Sequence, residues 1–181
     1  MNALISGCQT IPLNKIYFPK MKTAIIFKTK HGTTEKVAYM LAKRLTETGD
    51  EVRVIDLAKT KQPHLNGYEK IIIGGSIHVG KIQKEIRTFS DKHKASLKTK
   101  TLGLYICCME TDEKKRQKEF EDAFPADLKK HALAKGIMGG EFLLEKMNFI
   151  ERLVVRKVAH TRESVYDIDM NAVEKFLKQI A

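Results

Sequence analysis

Hydrophobic positions along the chain fall into two alternating patterns. Thr23-Ala24-Ile25-Ile26-Phe27 and Lys70-Ile71-Ile72-Ile73-Gly74-Gly75-Ser76 are continuous apolar runs, as strands buried on both faces are. Residues 101–108 form a third such run and residues 136–142 a weaker one. Residues 51–57 alternate polar with apolar, the pattern of a strand near a sheet edge. Between these runs lie helical patterns over roughly 33–48, 81–95, 113–133 and 170–180. Val37, Met40, Leu41 and Leu45 mark the inner face of the first. Strands alternating with helices predict parallel crossovers and an α/β sheet covered on both faces.

In such sheets ligands bind beyond the carboxyl ends of the strands, where strand order reverses. The loops that follow the first three apolar strands carry the chain's distinctive chemistry. Thr29-Lys30-His31-Gly32-Thr33-Thr34 joins the first strand to the first helix. Gly32 permits a tight reversal there, and free amides, hydroxyls and the positive end of the helix dipole converge on an anion. The loop has neither the Gly-Lys-Ser/Thr ending of a Walker A motif nor a GxGxxG pattern, so a single terminal phosphate suits it better than a pyrophosphate. The plainer alternative is that Thr33 and Thr34 merely cap the helix.

On these residues the chain resembles the flavodoxin family. Thr29, Gly32 and Thr34 match that family's phosphate-loop pattern, with Thr33 at its variable position. Gly74-Gly75-Ser76-Ile77-His78-Val79-Gly80 is similar to the family's second loop, which runs along one side of a flavin ring. The loop from Cys107 to Asp112 falls where the family closes over the other side. The resemblance spans residues 21–181 and implies a three-layer sandwich with a five-stranded parallel sheet in the order 2-1-3-4-5. It also implies FMN as cofactor. The residues expected to hold it are Thr29, Lys30, His31, Gly32, Thr33, Thr34, Ser76, Ile77, His78, Val79, Gly80, Lys81, Cys107, Cys108, Met109 and Glu110. His78 is the candidate proton donor at the ring edge, with a solvent-facing loop histidine as the alternative.

Within that family, the menaquinone-dependent protoporphyrinogen oxidase group resembles the chain further. The shared features are Lys30-His31-Gly32, Gly75-Ser76-Ile77-His78 with Gly80, and Phe89 with Lys92-His93. That group also carries an extra segment like residues 142–161, then a short strand like Ser164-Val165-Tyr166. The chain departs from the family pattern in three places. His31 stands in place of a hydroxyl, Val79 in place of a tyrosine, and the chain contains no tryptophan.

Composition narrows the partners. The net charge is +11, whereas the resemblance implies acidic carrier flavodoxins, so acidic partners are the ones attracted. Basic residues concentrate at Lys81, Lys84, Arg87, Lys92, Lys94, Lys98 and Lys100, and again at Lys146, Arg152, Arg156, Lys157 and Arg162. In the extra segment, about 142–162, Leu143, Met147, Ile150, Val154 and Val158 recur at helical spacing. This basic amphipathic stripe fits packing on its own domain, a homodimer contact, or an anionic membrane surface where a quinone lives. With 7% aromatic residues and no recognition motif, nucleic acid is not expected.

Three cysteines without ligand spacing indicate neither disulfide framework nor metal site, and fit a reduced, cytoplasmic setting. Residues 1–20 contain Pro12 and Pro19, no acidic side chain and no periodicity, and read as a disordered leader or a non-native start before Met21. Residues 21–181 read as one FMN-binding domain. Three functions follow: an FMN-binding electron-transfer protein, a flavin-dependent protoporphyrinogen IX dehydrogenase passing electrons to a quinone, or a partner-binding module that has lost FMN. The second reading is that of an enzyme. The expected location of the chain is the cytoplasm, with peripheral contact at the inner face of the membrane as a further option.

Overall fold

The computed structural model describes residues 20–142 and 165–181. The leader and most of the extra segment, with its apolar stripe from Leu143 to Val158, lie outside the described residues.

The described chain runs β1 (Lys22–Lys28), α1 (Thr33–Glu47), β2 (Glu51–Asp56), β3 (Lys70–His78), β4 (Lys81–Ile82), α2 (Lys84–Lys92), α3 (Lys94–Leu97) and β5 (Thr101–Cys107). It continues through α4 (Glu113–Ala123), α5 (Ala126–His131), β6 (Ala134–Ile137), β7 (Gly139–Phe142) and β8 (Val165–Ile168) to α6 (Met170–Ile180). β2-β1-β3-β5-β6 are hydrogen-bonded in that order, all parallel, which is the expected five-strand path. A sixth strand, β4, folds back antiparallel on the end of β3.

Pleating sorts the strand residues between two core layers. Ile25, Phe27, Ile72, Tyr105 and Cys107 pack with Val37, Leu41 and Leu45 of α1 and Phe176 and Ile180 of α6. Ala24, Ile26, Ile71, Ile73, Leu104 and Ile106 pack on the other face with Ile86, Phe89, Leu97, Phe120 and Leu128 from α2 to α5. This is the three-layer arrangement the alternating pattern predicts.

The differences from the predicted elements have local causes. The pattern at 113–133 divides into α4 and α5 at Pro125, because the residue before proline is driven out of helical geometry; Phe124 has φ −127° and ψ 153°. The stretch 136–142, expected as one strand, divides into two. Met138 donates to Ile106 O at 2.9 Å, but Gly139 has φ 68° and turns β7 out of the main sheet to pair antiparallel with β8. At the amino ends of the strands, Lys70, 2% exposed, meets Asp50 Oδ2 at 3.0 Å, and Thr23 Oγ1 donates to the same oxygen at 2.8 Å. Among the described residues no helix is long and apolar enough to cross a membrane.

Candidate functional site

Strand order reverses between β1 and β3, and the loops after β1, β3 and β5 leave the same edge of the sheet. The first of them begins α1. Gly32 is its N-cap, at φ 101° in the left-handed region, and no side chain caps the helix. Thr29 Oγ1 accepts the Gly32 N–H at 2.9 Å and fixes the turn. The first intrahelical bond, Lys36 N–H to Gly32 C=O, leaves the amides of Thr33, Thr34 and Glu35 ahead of it.

Thr33 and Thr34 are therefore the first two helical residues, not the caps that the plainer alternative supposes. Asp112 and Asp169 do cap α4 and α6, each accepting a backbone N–H at 2.9 Å. Thr34 is fully buried, and its Oγ1 has no nitrogen or oxygen partner, interacting instead with the Cys107 thiol. An uncapped helix N-terminus with buried hydroxyls fits an anion of the size of a phosphate group.

The second loop is a hairpin. Ile77 pairs with Ile82 and His78 with Lys81 around a two-residue turn, Val79 (φ 50°) and Gly80 (φ 71°). A β-branched residue at positive φ is strained, and Val79 is 99% exposed at the tip. Ser76 N–H donates to Gln83 Oε1 at 2.9 Å, Gln83 Nε2 donates to Ser76 Oγ, and Ser76 Oγ lies 3.2 Å from His78 Nε2. Ser76, Ile77 and His78 are half-buried, while Lys30 and Lys81 are exposed. His31 and His78 meet edge to face with ring centroids 5.5 Å apart, so the first two loops touch through these side chains.

In the third loop Cys107 and Cys108 belong to opposite core layers, as adjacent strand residues must. Burial dominates and pushes both thiols up to about 12, so both stay protonated at neutral pH. Cys108 N–H is engaged by Gly139 C=O at 2.9 Å. Met109 and Glu110 are half-buried, and Glu110 Oε1 accepts the Asp112 N–H at 3.0 Å.

Four further residues organise the site without announcing themselves in the pattern. Tyr105 lies across Gly74 and donates its buried hydroxyl to Thr34 C=O at 3.1 Å, fastening the start of α1 to the sheet. Glu141, 8% exposed on β7, accepts from Lys36 Nζ at 2.9 Å and from Thr33 Oγ1 at 3.5 Å. Gln83 braces the second loop through Ser76. The signal for Glu141 and Lys36 was faint: a lone acid inside a weak apolar run, and a lysine one turn into the helix. A groove of about 540 Å³ along the β2 edge, lined by Tyr39, Arg53, His64 and Tyr68, contains none of the predicted site residues.

Parallel strand order, layer composition and the three loops on one edge define an open α/β sandwich with a site at its switch point. Residues 24–169 match the Flavodoxin domain family, and the chain belongs to that family. It is 22% identical over 172 residues to protoporphyrinogen IX dehydrogenase [quinone] of Escherichia coli strain K12, covering 89% of this chain and 95% of that protein. The counterpart in Escherichia coli O157:H7 matches with the same figures. A short-chain flavodoxin associated with a non-canonical PDU bacterial microcompartment superposes with a TM-score of 0.52 at 15% identity, over 88% of this chain and 97% of that one. That likeness speaks to the fold.

Proposed function

We propose that the chain is an FMN-binding redox protein of the flavodoxin family, in which the loops after β1, β3 and β5 hold the cofactor. The observation that carries this reading is the start of α1: uncapped, with three amides ahead of its first hydrogen bond and the Thr34 hydroxyl buried beside them. Thr29, Gly32, Thr33 and Thr34 take the phosphate, with Lys30 and His31 on the same loop. Ser76 to Lys81 and Cys107 to Glu110 flank the ring. Because both thiols are buried and protonated, Cys107 and Cys108 contribute backbone and packing there, not thiolate chemistry. Bound FMN supplies hydride and electron transfer; the chain supplies binding, orientation and protons.

Similarity to a quinone-linked protoporphyrinogen IX dehydrogenase over most of both chains favours an enzyme over a pure carrier. In that reading the exposed Lys81, Lys84 and Arg87 beside the second loop attract the carboxylates of a porphyrinogen, and a quinone accepts the electrons. The +11 net charge favours peripheral contact with an anionic membrane, the phase in which a quinone is found.

A visible absorption spectrum of the purified protein, before and after adding FMN, tests the first statement. One bound flavin per chain is expected; no binding at excess FMN would leave a partner-binding module. Oxidation of protoporphyrinogen with a quinone acceptor, compared with and without quinone, then separates enzyme from carrier.

A further inference from the structure

β7 touches two of the three site loops with consecutive residues. Glu141 reaches Thr33 at the end of the first loop, and Gly140 lies against the third. Successive strand residues face opposite ways, so one strand serves both loops. On the third-loop side the approach is close. A Cβ built at position 140 would lie 2.8 Å from both Cγ and Sδ of Met109, and 3.1 Å from the Cys108 carbonyl oxygen. The Met109 side chain therefore occupies room that only a glycine leaves. Gly140 does not adopt a left-handed φ, so backbone freedom is not what the position requires. Its place is fixed from two sides. Gly139 C=O accepts the Cys108 N–H at 2.9 Å, and Gly140 pairs with Asp167 in the β7–β8 ribbon.

We propose that Gly140 is a positioning residue: it acts through Met109 to set where the third loop stands against the flavin ring. The role at the ring rests on the FMN reading above; the seat of Met109 on β7 does not. The cost of filling that seat separates positioning from stability. Met109 is unbranched and flexible, and it is half-buried, so a methyl at 140 displaces the thioether without breaking the fold. Gly74 is the opposite case, because its neighbour is the fully buried ring of Tyr105. A residue that moves Met109 cheaply changes the site more than it changes the protein. No period or motif in 136–142 signals this, since the contact joins β7 to a loop that precedes it by an entire helical crossover.

The test uses the full-length chain labelled with 13C at its methionine methyls, with and without FMN, the Met109 signal being assigned with Met109→Leu. In Gly140→Ala that signal is expected to shift in both states, while the urea midpoint moves far less than in Gly74→Ala. FMN affinity is expected to fall about three- to tenfold, and the visible circular dichroism of the bound flavin to change. Riboflavin should lose affinity by the same factor; a loss confined to FMN would trace to Glu141 and the phosphate side, and overturns the proposal. In a Met109→Ala background, adding Gly140→Ala should leave both flavin readouts where Met109→Ala alone puts them. An unmoved Met109 signal overturns the seat. A moved signal with unchanged flavin affinity and dichroism, or a full effect that persists without the Met109 side chain, overturns the positioning role. Wild-type protein that binds no flavin defeats the cofactor reading and the ring role with it, whereas the methyl shift of the flavin-free samples still judges the seat by itself.

Discussion

His31 and His78 stand edge to face, ring centroids 5.5 Å apart, although they lie 47 positions apart in the chain. One belongs to the turn that starts α1 and the other ends β3, so their contact joins the loop proposed to take the phosphate to the loop proposed to flank the flavin ring. His31 occupies a position where the family resemblance implies a hydroxyl. Its imidazole gives up that short polar contact in exchange for a ring that reaches the second loop. Two of the departures from the family pattern, His31 and Val79, thus adjoin the same histidine.

Gly32→Val is expected to abolish FMN binding while leaving most of the fold in place. At φ 101° a β-branched residue is strained by about 1–3 kcal/mol, and relief of that strain moves the Thr29 hydroxyl bond and the three leading amides of α1. Flavin fluorescence quenching should show no saturable binding, while circular dichroism shows a helical protein of lowered midpoint. Normal FMN affinity in Gly32→Val would mean that the phosphate lies elsewhere.

Lys36→Met is expected to weaken FMN at least about tenfold, or ~1.4 kcal/mol. Glu141 is buried, and Lys36 is its ion-pair partner at 2.9 Å. Losing the ammonium leaves a carboxylate beside Thr33 that repels the incoming phosphate. Adding Glu141→Gln removes the repulsion, so the double variant should recover most of the affinity. If Lys36→Met binds as wild type does, Glu141 is not felt at the cradle.

Much of this was legible in the residues themselves. The all-apolar runs at 23–27, 70–76 and 101–108 declare buried parallel strands, and the order of the three loops places one site at their carboxyl ends. The parts that escaped depend on contacts distant in sequence or on single backbone angles. Nothing in Gly136–Phe142 foretells that Gly139 turns the chain out of the sheet, or that Glu141 then reaches Lys36. The hairpin after β3 was hidden because β4 has two residues, too few for any period. Capping by Thr33 and Thr34 was an alternative because that is the usual use of threonine at a helix start; the helix begins at 33 as the pattern predicts, but a left-handed Gly32 takes the N-cap position.

Gly74→Ala is expected to destabilise the protein by about 1–3 kcal/mol or more. A Cβ at position 74 would lie 1.9 Å from Tyr105 Cζ, and the ring is fully buried. Displacing it also breaks the hydroxyl's bond to Thr34 C=O, so FMN affinity should fall along with stability. Tyr105→Phe removes that bond alone, at about 1 kcal/mol, and is expected to keep the ring in place. Urea denaturation of the two variants checks the order of effects; a Gly74→Ala protein as stable as wild type would contradict the close approach.

The two described cysteines supply a pH test with a definite sign. Burial raises both Cys107 and Cys108 from the ordinary 9.0 to about 12, so the folded state keeps protons that the unfolded chain releases in that window. Their contribution to stability is therefore full below pH 9 and is lost as pH rises from 9 toward 12. At pH 8 only about one thiol in ten thousand is ionised in the native protein, so alkylation should be slow until the chain unfolds. Cys8 lies outside the described residues, so a Cys8→Ser background isolates the other two. In that background iodoacetamide at pH 8 is expected to label neither cysteine natively and both in denaturant. Rapid native labelling of either would show that its thiol is not held in the core, and would reopen a direct role for it at the flavin.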